Sequence, residues 1–120
     1  MEESNLVNRE SLLEVTDGEP ELMRQIINLY LEQTEEQLNA LTTAVEEKNA
    51  REVYRLAHKS LGSSATCGIT AMISPLTELE AMGRDNKLEN AEQALISVQQ
   101  IYHRVIPSLE KILSEVKEKY

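Results

Sequence analysis

Apolar residues recur every three or four positions along four long stretches of this chain, and short polar breaks separate the stretches. That spacing follows the 3.6-residue period of an α-helix and puts one oily stripe on each segment. The residue supply agrees. There is no Trp or Phe and only four Gly, while Leu, Ala, Glu, Lys, Gln and Met abound, which favours helices and gives strands little support.

The breaks locate the helices. A short first helix is expected over about Arg9 to Val15, stopped by the turn dipeptide Asp17-Gly18. A second follows from about Pro20, suited to a first helical turn, to about Glu47, with Met23, Ile26, Ile27, Tyr30, Leu31, Thr34, Leu38, Leu41 and Val45 as its stripe. Asn49, with Glu52 three residues on, fits an N-cap and capping box for a third helix. Val53, Leu56, Ser60, Ser64 and Cys67 share its inner face as far as Gly68. A fourth runs from about Thr70 to Arg84 with Met72, Leu76 and Leu79 inward, and Pro75 should bend it or delay its regular start. Asn86 and Glu89 resemble another cap for a last helix whose inner face carries Leu88, Ala91, Leu95, Val98, Tyr102, Val105, Leu109, Ile112 and Val116, kinked at Pro107.

A chain of 120 residues is one domain, here spanning 1–120 with its core bundle over about 20–118. Long helices joined by connections of a few residues become antiparallel neighbours, so the predicted fold is all-α, an antiparallel up-down-up-down four-helix bundle with a short additional N-terminal helix. The inner stripes are satisfied within one bundle, which predicts a monomer. The opening residues lack a basic n-region and an apolar h-region, and the longest uncharged stretch, Ser60 to Thr77, is too rich in Ser, Thr and Gly to span a bilayer. A cytoplasmic protein with no membrane partner is expected. The lone Cys67 permits no internal disulfide and offers no metal-ligand spacing, and is read as a small packing residue.

The net charge of −9 argues against nucleic acid as a partner. The charge is unevenly spread. Residues 1–50 hold twelve acids against Arg9, Arg24 and Lys48, whereas in residues 51–68 Arg51, Arg55 and Lys59 face only Glu52, with His58 among them. A positive patch in an acidic chain suits a small anion. With 53, 56, 60, 64 and 67 inward, Arg51, Arg55, His58, Gly62 and Ala65 fall on the wet side, so His58 is predicted to be exposed. Gly62 costs roughly 1 kcal/mol relative to Ala inside a helix. Its use there leaves the imidazole uncovered and lets another protein come close. A neutral imidazole is a good nucleophile near pH 7, and neighbouring cations stabilise a transferring phosphoryl group. The plain alternative is one more exposed surface histidine, and His103 is read as just that.

The run Ala57-His58-Lys59-Ser60-Leu61-Gly62-Ser63-Ser64-Ala65-Thr66-Cys67-Gly68 resembles the signature Ala-His-x-Leu-Lys-Gly-Ser-Ser-Ala-x-x-Gly of the histidine-containing phosphotransfer (HPt) family. The stretch Leu76-Thr77-Glu78-Leu79-Glu80, followed by Arg84, resembles that family's fourth helix, and the resemblance extends over nearly the whole chain. It implies that His58 is a phosphoacceptor and that Glu80 accepts a hydrogen bond from the imidazole Nδ1–H, leaving the Nε2 lone pair for phosphorus. The family usually has a lysine where this chain has Leu61, the main departure from its pattern; Lys59, directly after His58, can still reach the imidazole edge, with Arg55 or Arg84 to help. The resemblance also implies an apolar patch that docks the partner, with Leu12, Leu13 and Val15 as its candidates. Ser60, where the motif has Leu, is a smaller departure on the inner side. Glu80 as an ordinary solvated or Arg84-paired carboxylate, Arg84 as a structural partner, and Leu12, Leu13 and Val15 as core caps are the competing readings.

The implied partners are receiver domains of response regulators or of a hybrid sensor histidine kinase. The implied activity is a phosphorelay carrier rather than an enzyme, because the chain has no glycine-rich phosphate loop or ATP lid. No cofactor is expected on the chain itself; the Mg²⁺ would belong to the receiver. Two alternatives remain. One is a docking module that binds receivers without accepting phosphate, supported by Leu61. The other is a metal-binding bundle, disfavoured because no Glu-x-x-His precedes either histidine.

Overall fold

The computed structural model describes residues 6–119, so the first five residues and the last of the 1–120 domain lie outside the described residues. Five α-helices follow one another: α1 (Arg9–Thr16), α2 (Pro20–Glu46), α3 (Ala50–Thr66), α4 (Ile73–Arg84) and α5 (Ala91–Lys119), with a 3₁₀ turn over Thr70–Met72 leading into α4. The described residues contain no strand, as the stripe pattern predicts.

Each helix end has a local cause. Asn8 Oδ1 accepts from the Ser11 amide to cap α1, and Asp17 and Gly18, both at positive φ, turn the chain out of it. Pro20 opens α2 where its missing N–H costs nothing. Asn49 caps α3 through the Glu52 amide, but the box is only half made. The Asn49 N–H is already given to the Ala44 carbonyl, so the Glu52 carboxylate turns instead to Arg55. Pro75 stands in the first turn of α4, and the irregular start expected there is the 3₁₀ turn. The last boundary needs correction. Asn86 is no cap for α5; it sits at φ 54°, where the Lys87 amide returns to the Met82 carbonyl and closes α4. The final helix starts at Ala91, with the Asn90 carbonyl accepting from Ala94, and runs through Pro107.

The long helices pack in a ring, α2 against α3 and α5, and α4 against α3 and α5. Two bonds fix the direction of α5 along α2: Tyr102 Oη donates to the Leu31 carbonyl, and Gln99 Nε2 to Thr42 Oγ1. Moving forward along α2 is moving backward along α5. Tyr30 Oη meets Ser64 Oγ at 2.7 Å, tying α2 to α3 inside the core. Burial pushes both phenols up to about 12, so each keeps its proton. The core is filled by Ile27, Leu41, Val53, Met72, Leu76, Leu79, Val98, Val105 and Leu109, which lie on the expected stripes. Cys67 is buried among them as a packing residue, and burial raises its thiol above the ordinary range.

The N-terminal segment closes one end of the ring. Asn8 donates to the Gly68 carbonyl, Ala71 donates to Leu6, and Leu6, Val7 and Leu12 are buried. Gly68, at φ 74°, admits this strap because a Cβ there would lie 2.7 Å from the Asn8 carbonyl oxygen.

Candidate functional site

The inner face of α3 consists of Val53, Leu56, Ala57, Ser60 and Ser64, and this forces Arg51, Arg55, His58, Gly62 and Ala65 to the surface, where all five are exposed. His58 stands in mid-helix with 65% of its side chain open to solvent. Across from it, α4 buries Leu76, Leu79 and Gly83, and the turn between them presents Glu80 toward α3. Glu80 Oε2 lies 2.6 Å from His58 Nδ1, and its side chain is only 14% exposed. The carboxylate is thus the fixed member of the pair and the imidazole the accessible one. An ionised carboxylate only accepts, so the nitrogen facing it is the one that carries the proton in the neutral imidazole, and it is Nε2 that then presents the lone pair.

Two residues that shape this pair escaped the sequence reading. Gly83 lies one turn after Glu80 and is buried. A Cβ there would overlap the Tyr54 amide nitrogen and stand 2.8 Å from the Ala50 carbonyl oxygen, so the backbones of α3 and α4 touch at this point. That contact brings the Glu80 carboxylate within reach of the imidazole. The available signal was a glycine inside a helical pattern with no turn to make. Tyr54, one turn before His58, lays its ring against the imidazole, centroids 5.6 Å apart and planes 15° from parallel. Its signal was the four-residue spacing on one helical side.

The remaining predicted residues divide. Lys59 is exposed beside His58 and has no ion pair among the described residues. Arg55 is exposed, but Nε and Nη2 hold the Glu52 carboxylate at 2.8 Å each. Those bonds keep the Glu52 carboxyl below its ordinary range and raise the Arg55 guanidinium. Arg84 sits 3.4 Å from Asp85 Oδ1, not on Glu80. Leu61 is half-buried against the core, so an apolar contact occupies the place of the family's usual lysine. Ser60 is buried inward, and its Oγ finds no hydrogen-bond partner among the described residues. The apolar patch is smaller than expected. Leu12 is 1% exposed and belongs to the core, because α1 turns that side onto the bundle, whereas Leu13 at 48% and Val15 face solvent. His103 is exposed on α5 with Tyr102 tilted beside it.

Gly62 differs from Gly83. A Cβ on Gly62 would meet nothing within 4 Å, and no positive φ requires glycine there. Nothing inside the described fold explains a residue that weakens the helix. Gly62→Ala is therefore expected to raise stability by about 1 kcal/mol, a few degrees in Tm, by restoring helix propensity. Thermal melting checks this, and a lower Tm would mean that Gly62 serves the fold.

Among the described residues no group of three or more His, Cys, Asp or Glu side chains is placed to hold a metal ion, and no helix is long and apolar enough to cross a membrane.

Comparison with known proteins points the same way as the geometry. The family model described as Hpt domain matches residues 25–118. Over 113 residues the chain is 26% identical to the phosphorelay intermediate protein rdeA of Dictyostelium discoideum, covering 94% of this chain and 43% of that protein. The chain thus spans less than half the length of the curated relative it matches. Histidine-containing phosphotransfer protein B of Pseudomonas aeruginosa superposes with a TM-score of 0.87 at 17% identity, over 93% of this chain and 97% of that one. A putative histidine-containing phosphotransfer protein from rice gives 0.82 at 19% identity, over 94% and 83%. At those identities the two structures speak for the fold. Because the matched segment begins in α2 and runs through α3 and α4 into the end of α5, carrying both His58 and Glu80, the chain belongs to the Hpt domain family.

Proposed function

We propose that this chain is a phosphoryl carrier in a multistep two-component relay, accepting the group on His58 from a receiver-domain aspartate and passing it to the receiver of another response regulator. The observation that carries the proposal is the exposed imidazole whose Nδ1 is held by the half-buried Glu80 carboxylate. In the transfer, Nε2 forms a bond to phosphorus in line with the breaking phosphorus–oxygen bond, and the aspartate leaves as a carboxylate. The ring becomes cationic as this happens. Its Nδ1 keeps the proton and Glu80 offsets the charge, while Lys59 stands ready for the phosphoryl oxygens.

The partner brings the Mg²⁺; this chain contributes a nucleophile and its orientation, and needs no cofactor of its own. It carries phosphate between proteins rather than turning over a substrate. Leu13 and Val15 form the apolar part of the docking face, Gly62 leaves the partner room, and Arg55 and Arg84 contribute positive charge at its margin. The carrier works in the cytoplasm as a single bundle.

The test is to mix the protein with a receiver bearing labelled phosphate and characterise the adduct. A phosphohistidine, acid-labile and base-stable, on the peptide containing His58 is the expected product. Receivers that bind yet leave the protein unlabelled would make it a docking module, with Leu61 the departure that disabled it.

Glu80 sets the rate. Glu80→Ala frees the ring and should slow single-turnover transfer roughly tenfold to a hundredfold, the usual cost of a misplaced reacting group, while Glu80→Gln, which keeps an acceptor oxygen, should lose less. Equal rates for wild type and Glu80→Ala would show that the pair is only a surface contact.

A further inference from the structure

A hydrogen bond is an axis, not a clamp. The contact between Nδ1 and Glu80 fixes one atom of the imidazole and leaves the ring able to roll about that line. A second restraint is present on the same side of α3. The Tyr54 ring stacks on the imidazole with centroids 5.6 Å apart and planes within 15°, the offset arrangement that aromatic rings favour. Tyr54 does not serve the core, since 37% of it stays in solvent. Its own position is nonetheless fixed, because Gly83 lies against its backbone nitrogen and Cα.

We propose that Tyr54 is a positioning residue for phosphoryl transfer, stacking on His58 so that Nε2 is held in line for attack; this rests on the reading of His58 as the phosphoacceptor. Glu80 fixes where the ring is anchored and Tyr54 fixes its plane. A second effect has the same sign. As the Nε2–phosphorus bond forms and the donor's bond to phosphorus breaks, the leaving group takes the bonding pair and the imidazole gains positive charge. The negative face of the Tyr54 ring then attracts it more strongly than it attracts the neutral ring. The interaction grows along the reaction coordinate, which is the condition for accelerating it.

The experiment uses potassium phosphoramidate, a small donor that needs no docking surface: its phosphorus–nitrogen bond breaks, ammonia leaves and the Nε2–phosphorus bond forms. Wild type, Tyr54→Phe and Tyr54→Leu are compared by rate of phosphohistidine formation and by the NMR shifts of the His58 ring protons. Tyr54→Phe keeps the ring and should stay within about twofold of wild type, with the ring-current shift intact. Tyr54→Leu keeps an apolar side chain without a π face. It should lose the ring-current shift and slow phosphohistidine formation roughly two- to tenfold, the span expected from an aromatic pair. Tyr54→Leu matching wild type, or Tyr54→Phe falling as far as Tyr54→Leu, overturns the proposal. A wild type that takes no phosphoryl group from either phosphoramidate or a receiver overturns the phosphoacceptor reading itself, and this inference with it.

Discussion

Replacing His58 by Gln should abolish phosphohistidine formation altogether while leaving the melting temperature almost where it was. The two halves of that expectation have different origins. The chemistry needs an unprotonated ring nitrogen with a lone pair, and an amide nitrogen, whose pair is delocalised into its carbonyl, is not a nucleophile at neutral pH. The fold needs little from this side chain, which is 65% exposed and whose contacts are the Tyr54 ring and the Glu80 carboxylate, neither of them part of the apolar core. Surface substitutions of that kind stay within about 0.5 kcal/mol. Labelled receiver, single-turnover kinetics and a thermal melt on the same preparations decide it. The chain has only two histidines, so a phosphohistidine that survives in His58→Gln can lie only on His103, and finding it there would move the site to α5.

Gly83→Ala should do the reverse, damaging fold and transfer together. The added methyl group would be driven into the Tyr54 amide and the Ala50 carbonyl, both backbone, where no side chain can swing aside. Overpacking of that kind costs about 1–3 kcal/mol and more where backbone must move, against which improved helix propensity returns at most about 1 kcal/mol. A net loss of about 2 kcal/mol, on the order of 5–10 °C in Tm, is expected for a domain of this length. Parting α3 from α4 also draws Glu80 away from His58, so transfer should fall well below wild type even at temperatures where the variant is fully folded. Gly62→Ala is the internal control, since the same substitution in the neighbouring helix should stabilise. If both alanines stabilise, the two helices do not touch where Gly83 places them.

These two glycines also mark how far the sequence could be read. The alternation of sides along α3 is legible because periodicity alone determines it, and the sides predicted for Val53, Leu56, His58 and Gly62 are those observed. Where the outcome depends on competition between nearby groups, the sequence offers several answers. Glu52 could close a box with Asn49 or take Arg55; the Ala44 carbonyl decides by claiming the amide first. Asn86 with Glu89 three residues on reads as a cap for α5, and only the left-handed φ of Asn86 shows that it ends α4 instead. Leu12 and Leu13 read alike, yet the strap of residues 6–8 turns one into the core. The partnership of His58 and Glu80 was available from family resemblance, whereas the contact that makes it possible, between Gly83 and Tyr54, joins residues 29 positions apart whose proximity no local pattern encodes.

The same contact bears on which way a relay would run. His58 and Glu80 both stand in mid-helix, on elements whose backbones meet at Gly83, rather than on a loop. A bound group can shift a conformational equilibrium only through unequal affinity for two arrangements, and a carrier with one arrangement gives it nothing to shift. A carrier of the proposed kind, if it keeps this one arrangement when loaded, would store no bias toward donor or acceptor. The direction and extent of flow through it then follow from mass action, set by the abundance of each receiver and the lability of its aspartyl phosphate, so that the traffic could reverse whenever the balance between receivers does.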